Sequence, residues 1–199
     1  MARRRKLRRF GLKLAVAVGL VVTVTATAPT YAIDDGELRR GVREAGLVPY
    51  WSFKPAANFG YSEVTSGRWI SLADLKGQVV LVNIWATWCP PCVKEMPSLQ
   101  ALHEEFHERG LGIVGVKVRD SKSHPVVAQW LRERRLTFVN VKAHDDGPHF
   151  PSGFRIPQTF LIDRNGRLLA NKPGAWDWAS SGVKAIIGRL LDGSEAGGR

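Results

Sequence analysis

The sequence predicts an α/β domain: a mixed central sheet flanked by helices, carrying an N-terminal extension. Three observations lead there. Apolar runs at 79–85, 111–118 and 138–141 read as buried strands, and they alternate with stretches of three- and four-residue apolar periodicity that read as helices. Two further strands joined by the turn Asp163-Arg164-Asn165-Gly166 precede a last helix, so parallel pairing gives way to an antiparallel hairpin. The length of 199 residues suits one domain plus a tail, and no repeat or low-complexity linker divides the chain.

Residues 1–13 are basic, 14–24 apolar, and Thr25-Ala26-Thr27-Ala28 small, which is the order of a signal peptide. Ala26 and Ala32 are cleavage candidates. Counted on to Ile33, the stretch approaches the roughly 20 apolar residues of a membrane span. Residues 1–32 are therefore expected to be a signal peptide or an uncleaved membrane anchor. The basic end stays cytoplasmic either way, and the domain works outside the cytoplasm, in a periplasm or at the outer face of the cytoplasmic membrane. Residues 33–54 read as a lead-in with a short helical stretch from Glu37 to Val42. Trp51, Phe53, Phe59, Tyr61 and Trp69, separated by Gly60 and Gly67, suggest short strands or a hairpin. Ser71 to Gly77 reads as one turn closed by glycine.

The main α/β body is expected over 55–192. Val79 to Trp85 is nearly all apolar, as a strand buried on both faces requires. Cys92, Met96, Leu99, Leu102 and Phe106 recur at helical spacing, so a helix runs from about Pro90 to Arg109, kinks at Pro97 and stops at Gly110. A strand over 111–118, a helix over 126–135 and a strand over 138–141 follow. Lys142 to Arg155 holds Gly147, Pro148, Pro151 and Gly153 and reads as a loop. Strands at 159–162 and 167–170 lead to a closing helix from Trp176 to Leu191, and 193–199 reads as a flexible tail.

Charge first points the wrong way. Lys and Arg number 29 against 18 Asp and Glu, a net +11 that would suit an anionic partner. Seven of those positive charges lie in the first thirteen residues, and without residues 1–32 the balance is 22 against 18. The body is only mildly basic, and no nucleic-acid partner is expected. Apolar content of 44% with 24% charged residues excludes a disordered or collagen-like chain.

Cys89 and Cys92 are the whole supply of cysteine. A structural zinc site would need two more ligands from five scattered histidines, and a disulfide scaffold needs more pairs at longer spacing. The pair points to chemistry. Placed where a buried strand turns into a helix, the first sulfur meets free backbone N–H groups and the positive end of the helix dipole. Its pKa then falls from about 8.5 into the range of roughly 3.5–7.5, and the thiolate can attack a disulfide. The second sulfur, almost a helical turn on, resolves the mixed disulfide. Pro90 and Pro91 suit a first turn, where a missing N–H costs nothing.

The run Val80-Leu81-Val82-Asn83-Ile84-Trp85-Ala86-Thr87-Trp88-Cys89-Pro90-Pro91-Cys92, with Glu95-Met96-Pro97 after it, resembles the thioredoxin superfamily. Within it the chain resembles the extracytoplasmic TlpA/ResA-type thiol–disulfide oxidoreductases. Ile156-Pro157-Gln158-Thr159 resembles the family's second signature, and Gly174-Ala175-Trp176-Asp177-Trp178 is similar to members of this group. The likeness spans roughly Pro55 to Leu191. It implies a thioredoxin-like fold, a nucleophilic Cys89, a resolving Cys92, and a cis Pro157 facing the pair, with the Ile156 backbone and Trp88 meeting the substrate. Asn83 departs from cytosolic thioredoxins, which place an aspartate there. The acid three residues after the second cysteine is Glu95, which the resemblance makes a proton carrier for Cys92. A carboxyl held in an apolar site has a raised pKa suited to that task. Lys142–Arg155 departs from the usual short helix before the cis proline, and Arg155 stands where a small residue is common.

Weaker signals are read as structural. His103 and His107 have the i, i+4 spacing of a metal pair but no completing carboxylate, and no metal is expected. His144, Asp145, Asp146 and His149 read as solvated loop residues, Trp85 as core, and Arg132-Glu133-Arg134-Arg135 as an exposed helix end. The expected function is reduction of protein disulfides without a cofactor, on protein thiol and disulfide partners. The resemblance implies apocytochrome c cysteines as substrate and a membrane-embedded electron donor. Alternatives are a disulfide oxidant or isomerase, and a Cu(I)-binding module using Cys89 and Cys92, which soft thiolates favour. A peroxidase is disfavoured because no Thr-x-x-Cys arrangement is present.

Overall fold

The strand Val79–Trp85 sets the architecture, because all seven of its residues are buried. Their side chains alternate between two cores. Val79, Leu81 and Trp85 join one hydrophobic cluster, while Val80, Val82 and Ile84 join another on the opposite face. In the computed structural model, which describes residues 34–143 and 155–193, this strand is β4 of an eight-stranded mixed sheet. The strands in chain order are β1 (Val48–Pro55), β2 (Gly60–Glu63), β3 (Trp69–Ser71), β4, β5 (Leu111–Lys117), β6 (Val139–Lys142), β7 (Gln158–Ile162) and β8 (Arg167–Pro173). Their spatial order is β1-β8-β7-β4-β5-β6-β2-β3. β4, β5 and β6 pair in parallel, and β7 and β8 add antiparallel on the other side of β4.

Four α-helices are described: α1 (Asp35–Glu44), α2 (Pro90–Phe106), α3 (His124–Glu133) and α4 (Ser181–Asp192). All four contribute buried residues to the cluster that holds Leu81 and Trp85. α2 runs through Pro97, which removes one N–H donor without ending the helix, since Met96, Leu99 and Leu102 around it are buried. One 3₁₀ turn (His107–Arg109) closes it. Gly110 then takes φ 101°, which only glycine adopts freely.

Two stretches differ from the sequence reading. The lead-in forms a full helix and a strand that pairs with β8, giving the sheet its outer edge. Asp34 caps α1 by accepting from Gly36 and Glu37 N–H, and Leu38 and Val42 bury its inner face. The closing helix starts at Ser181 instead of Trp176. Trp176 and Trp178 commit their backbone N–H groups to α2: Trp176 N–H donates to Glu95 and Trp178 N–H to Ser98 Oγ. Those tertiary bonds replace the helical ones that the apolar pattern suggested. The 142–155 loop reading and the cluster of His144, Asp145, Asp146 and His149 fall largely outside the described residues, as do the 1–32 segment and nearly all of the 193–199 tail.

Candidate active site

The sheet delivers its chemistry at the carboxyl end of β4. After Trp85 the chain turns through Ala86-Thr87-Trp88 and enters α2, with Cys89 as the N-cap residue and Pro90 and Pro91 in the first turn. Cys89 and Cys92 are joined in a disulfide with Cα atoms 5.3 Å apart. Cys92 N–H donates to Cys89 Sγ at 3.3 Å, so the first sulfur already sits where the helix start favours negative charge. Both cysteines are buried. Trp88 beside them is 55% exposed, and its indole N–H donates to Arg119 O at 2.8 Å.

The Ile156–Pro157 peptide is cis. β7 starts directly after it, and the Ile84–Gln158 register places Pro157 at the same end of the sheet as the turn into Cys89. Ile156 is half-buried against both cores, and Arg155 is exposed.

Glu95 lies on the inner face of α2, one turn beyond Cys92, and is 3% exposed. Three donors meet its carboxyl. Asn83 Nδ2 from β4 reaches Oε1 at 2.8 Å, and Trp176 N and Trp178 Nε1 each reach Oε2 at 3.0 Å. Asn83 Nδ2 also donates to Thr159 Oγ1 on β7 at 2.8 Å. Burial pushes the Glu95 carboxyl above its ordinary pKa, against the donors that favour the ionised form. A groove of about 420 Å³ between α2 and residues 175–177 has Lys94, Glu95 and Pro97 in its lining. A buried carboxyl with a raised pKa is suited to holding and passing on a proton.

The sequence reading thus named both cysteines, Trp88, Glu95, Ile156 and Pro157, and the fold gathers them at one end of the sheet. It did not find that Trp176, Trp178, Asn83 and Thr159 form the surroundings of Glu95. No spacing rule links residues 81 and 83 positions apart. The His103 and His107 rings stand 4.8 Å apart on α2. Among the described residues no group of three or more metal-ligating side chains occurs.

Residues 54–170 match the model of the AhpC/TSA family. The chain belongs to the AhpC/TSA family, within the thioredoxin superfamily. It is 32% identical over 168 residues to the thiol–disulfide oxidoreductase ResA of Oceanobacillus iheyensis, covering 83% of this chain and 81% of that protein. A ResA of Bacillus cereus is 33% identical over 119 residues, covering 58% of this chain and 66% of the relative. A thiol:disulfide interchange protein of the thioredoxin family from Chlorobium tepidum superimposes with a TM-score of 0.56 at 27% identity, covering 71% of this chain and 99% of that one. This AhpC/TSA member is a thioredoxin-like thiol–disulfide oxidoreductase.

Proposed function

We propose that the protein reduces protein disulfides outside the cytoplasm, with Cys89 as the attacking thiol and Cys92 as the resolving one. The observation that carries this reading is the buried Glu95 carboxyl held one turn behind a cysteine pair at the start of α2. In the reduced state the Cys89 thiolate attacks one sulfur of a substrate disulfide, forming a mixed disulfide and releasing the other substrate sulfur as a thiolate. The Cys92 thiol gives its proton towards Glu95 and attacks Cys89 Sγ. The second substrate thiolate leaves and takes up a proton, and the Cys89–Cys92 disulfide of the present structure remains. Two electrons pass to the substrate, and a thiol donor must return two to the protein.

In this reading Trp88 and the Ile156 backbone beside Pro157 hold the substrate chain. The basic, apolar and small-residue order of residues 1–32 supports export, either as a cleaved signal or as an anchor that keeps the domain at the membrane. Among the described residues no helix is long and apolar enough to cross a membrane. The ResA likeness supports a membrane-embedded electron donor and apocytochrome c cysteines as the substrate class.

The deciding experiment is the reduction potential of the Cys89–Cys92 pair in defined thiol buffers. A value of about −230 mV or lower supports a reductant, and a value near −120 mV makes the protein an oxidant and overturns this direction.

A further inference from the structure

Lys117 closes β5 with its side chain wholly buried, opposite Trp85 of β4, and the disulfide chemistry above makes no use of it. A buried lysine is rare unless it is paired. Its Nζ lies 3.5 Å from Asp120 Oδ1, a carboxylate whose side chain is 2% exposed. The same Nζ donates to two backbone carbonyls, Asp120 O at 2.8 Å and Lys122 O at 3.3 Å. One ammonium therefore ties down the whole 119–122 loop.

That loop in turn grips the turn before the reacting cysteine. Asp120 Oδ2 accepts Thr87 N–H at 2.8 Å, Arg119 O accepts the Trp88 indole N–H at 2.8 Å, and Lys122 Nζ donates to Thr87 Oγ1 at 2.8 Å. Asp120 Oδ1 accepts Lys122 N–H at 3.0 Å and closes the loop on itself. Arg119 takes a left-handed backbone with φ 47°, which a non-glycine residue holds only where its surroundings fix it. Among the described residues, Lys122 in the loop and Lys142 on β6 also act on the Lys117 ammonium.

We propose that the buried Lys117–Asp120 ion pair is a positioning device for the redox centre, clamping Thr87 and Trp88 so that Cys89 Sγ stays on the Cys92 N–H at the start of α2. This deepens the reading of Cys89 as the attacking thiol and rests on it. Without the clamp, the turn from β4 into α2 loses its lateral hold. The Cys89 sulfur then drifts from the Cys92 N–H and the helix start that stabilise its thiolate, and its pKa moves back towards that of a free thiol. Lys117 and Asp120 are positioning residues and touch no substrate.

The effect of position separates from the effect of charge. Lys117→Met leaves an extra negative charge near the site, and Asp120→Ala leaves an extra positive one. If the pair acted through its field alone, these variants would shift the Cys89 thiol in opposite directions. If it acts as a clamp, both raise the pKa. The test is the rate at which iodoacetamide alkylates the reduced full-length protein as a function of pH, with the labelled cysteine mapped by mass spectrometry. Both single variants, and the double variant Lys117→Met/Asp120→Leu, which removes the acceptor of Thr87 N–H, should move the Cys89 midpoint upward. At pH 7 they should slow alkylation by about three-fold or more. The double variant leaves no unpaired buried charge, so it carries the test if a single variant fails to fold. Opposite shifts in the two single variants, or an unmoved midpoint alongside a lower melting temperature, would overturn the clamp while leaving Cys89 as the attacking thiol. Labelling of Cys92 in place of Cys89 in the parent protein would overturn that assignment, and the clamp with it.

Discussion

Glu95 shows how much one side chain here depends on its surroundings. Its carboxyl is buried against two tryptophans and an asparagine, and three N–H donors meet it. Burial favours the protonated form and the donors favour the ionised one, with burial dominant. Glu95→Gln keeps the shape and removes the proton exchange. The substitution is expected to slow resolution of the mixed disulfide by about a hundredfold near neutral pH and to change the pH profile of disulfide exchange. Stopped-flow kinetics across pH 5–9 checks this. An unaltered profile would reduce Glu95 to a structural acceptor. The family resemblance singled out this acid, three residues after Cys92, but the sequence did not show the partners that the fold brings to it.

At the scale of elements, the segment before α4 and the turn after α1 work together. The Trp176 ring packs against Gly46, which follows α1 with φ 75°, and Lys172 Nζ sits 3.6 Å from the ring centroid while donating to Gly46 O. A Cβ on Gly46 would lie 2.3 Å from the Trp176 ring. Gly46→Ala is therefore expected to cost at least about 1–2 kcal/mol from the left-handed backbone alone. It should also displace Trp176, whose N–H serves Glu95. Urea denaturation reads the first effect, and the pH profile of exchange reads the second. A variant with parental stability and profile would show that this turn does not support the site. The apolar periodicity of 183–191 announced α4 correctly. It overran at 176–180 because a helix pattern cannot register that two N–H groups and one indole are committed to α2.

For the whole molecule, buried titratable groups set how stability follows pH. Glu95 has a raised pKa when folded, so its contribution is full below the unfolded value and is lost as pH rises through the folded one. Asp120 has a lowered pKa, so its contribution is present above the ordinary carboxylate range and is lost as pH falls. His103, lowered mainly by burial, adds stability as pH rises towards its ordinary value. Comparing the parent protein with Glu95→Gln isolates the first of these. Denaturant midpoints measured from pH 4 to 8 should fall relative to those of the Gln variant as pH rises. A constant difference between the two would show that Glu95 does not change protonation on unfolding.

What the sequence determined by itself was whatever depends on near neighbours. Two-sided apolar runs made the central strands, helical spacing made α2, α3 and α4, and a cysteine pair between strand and helix fixed the chemistry. The tertiary structure decided which distant groups meet. Asn83, Trp176 and Trp178 converge on Glu95 from 12, 81 and 83 positions away, and Asp120 crosses from the loop after β5 to hold Thr87, 33 positions back. The physical reason is that a buried polar group must be satisfied by whatever the packed sheet brings beside it. Hydrophobic periodicity specifies the packing but carries no record of those pairings.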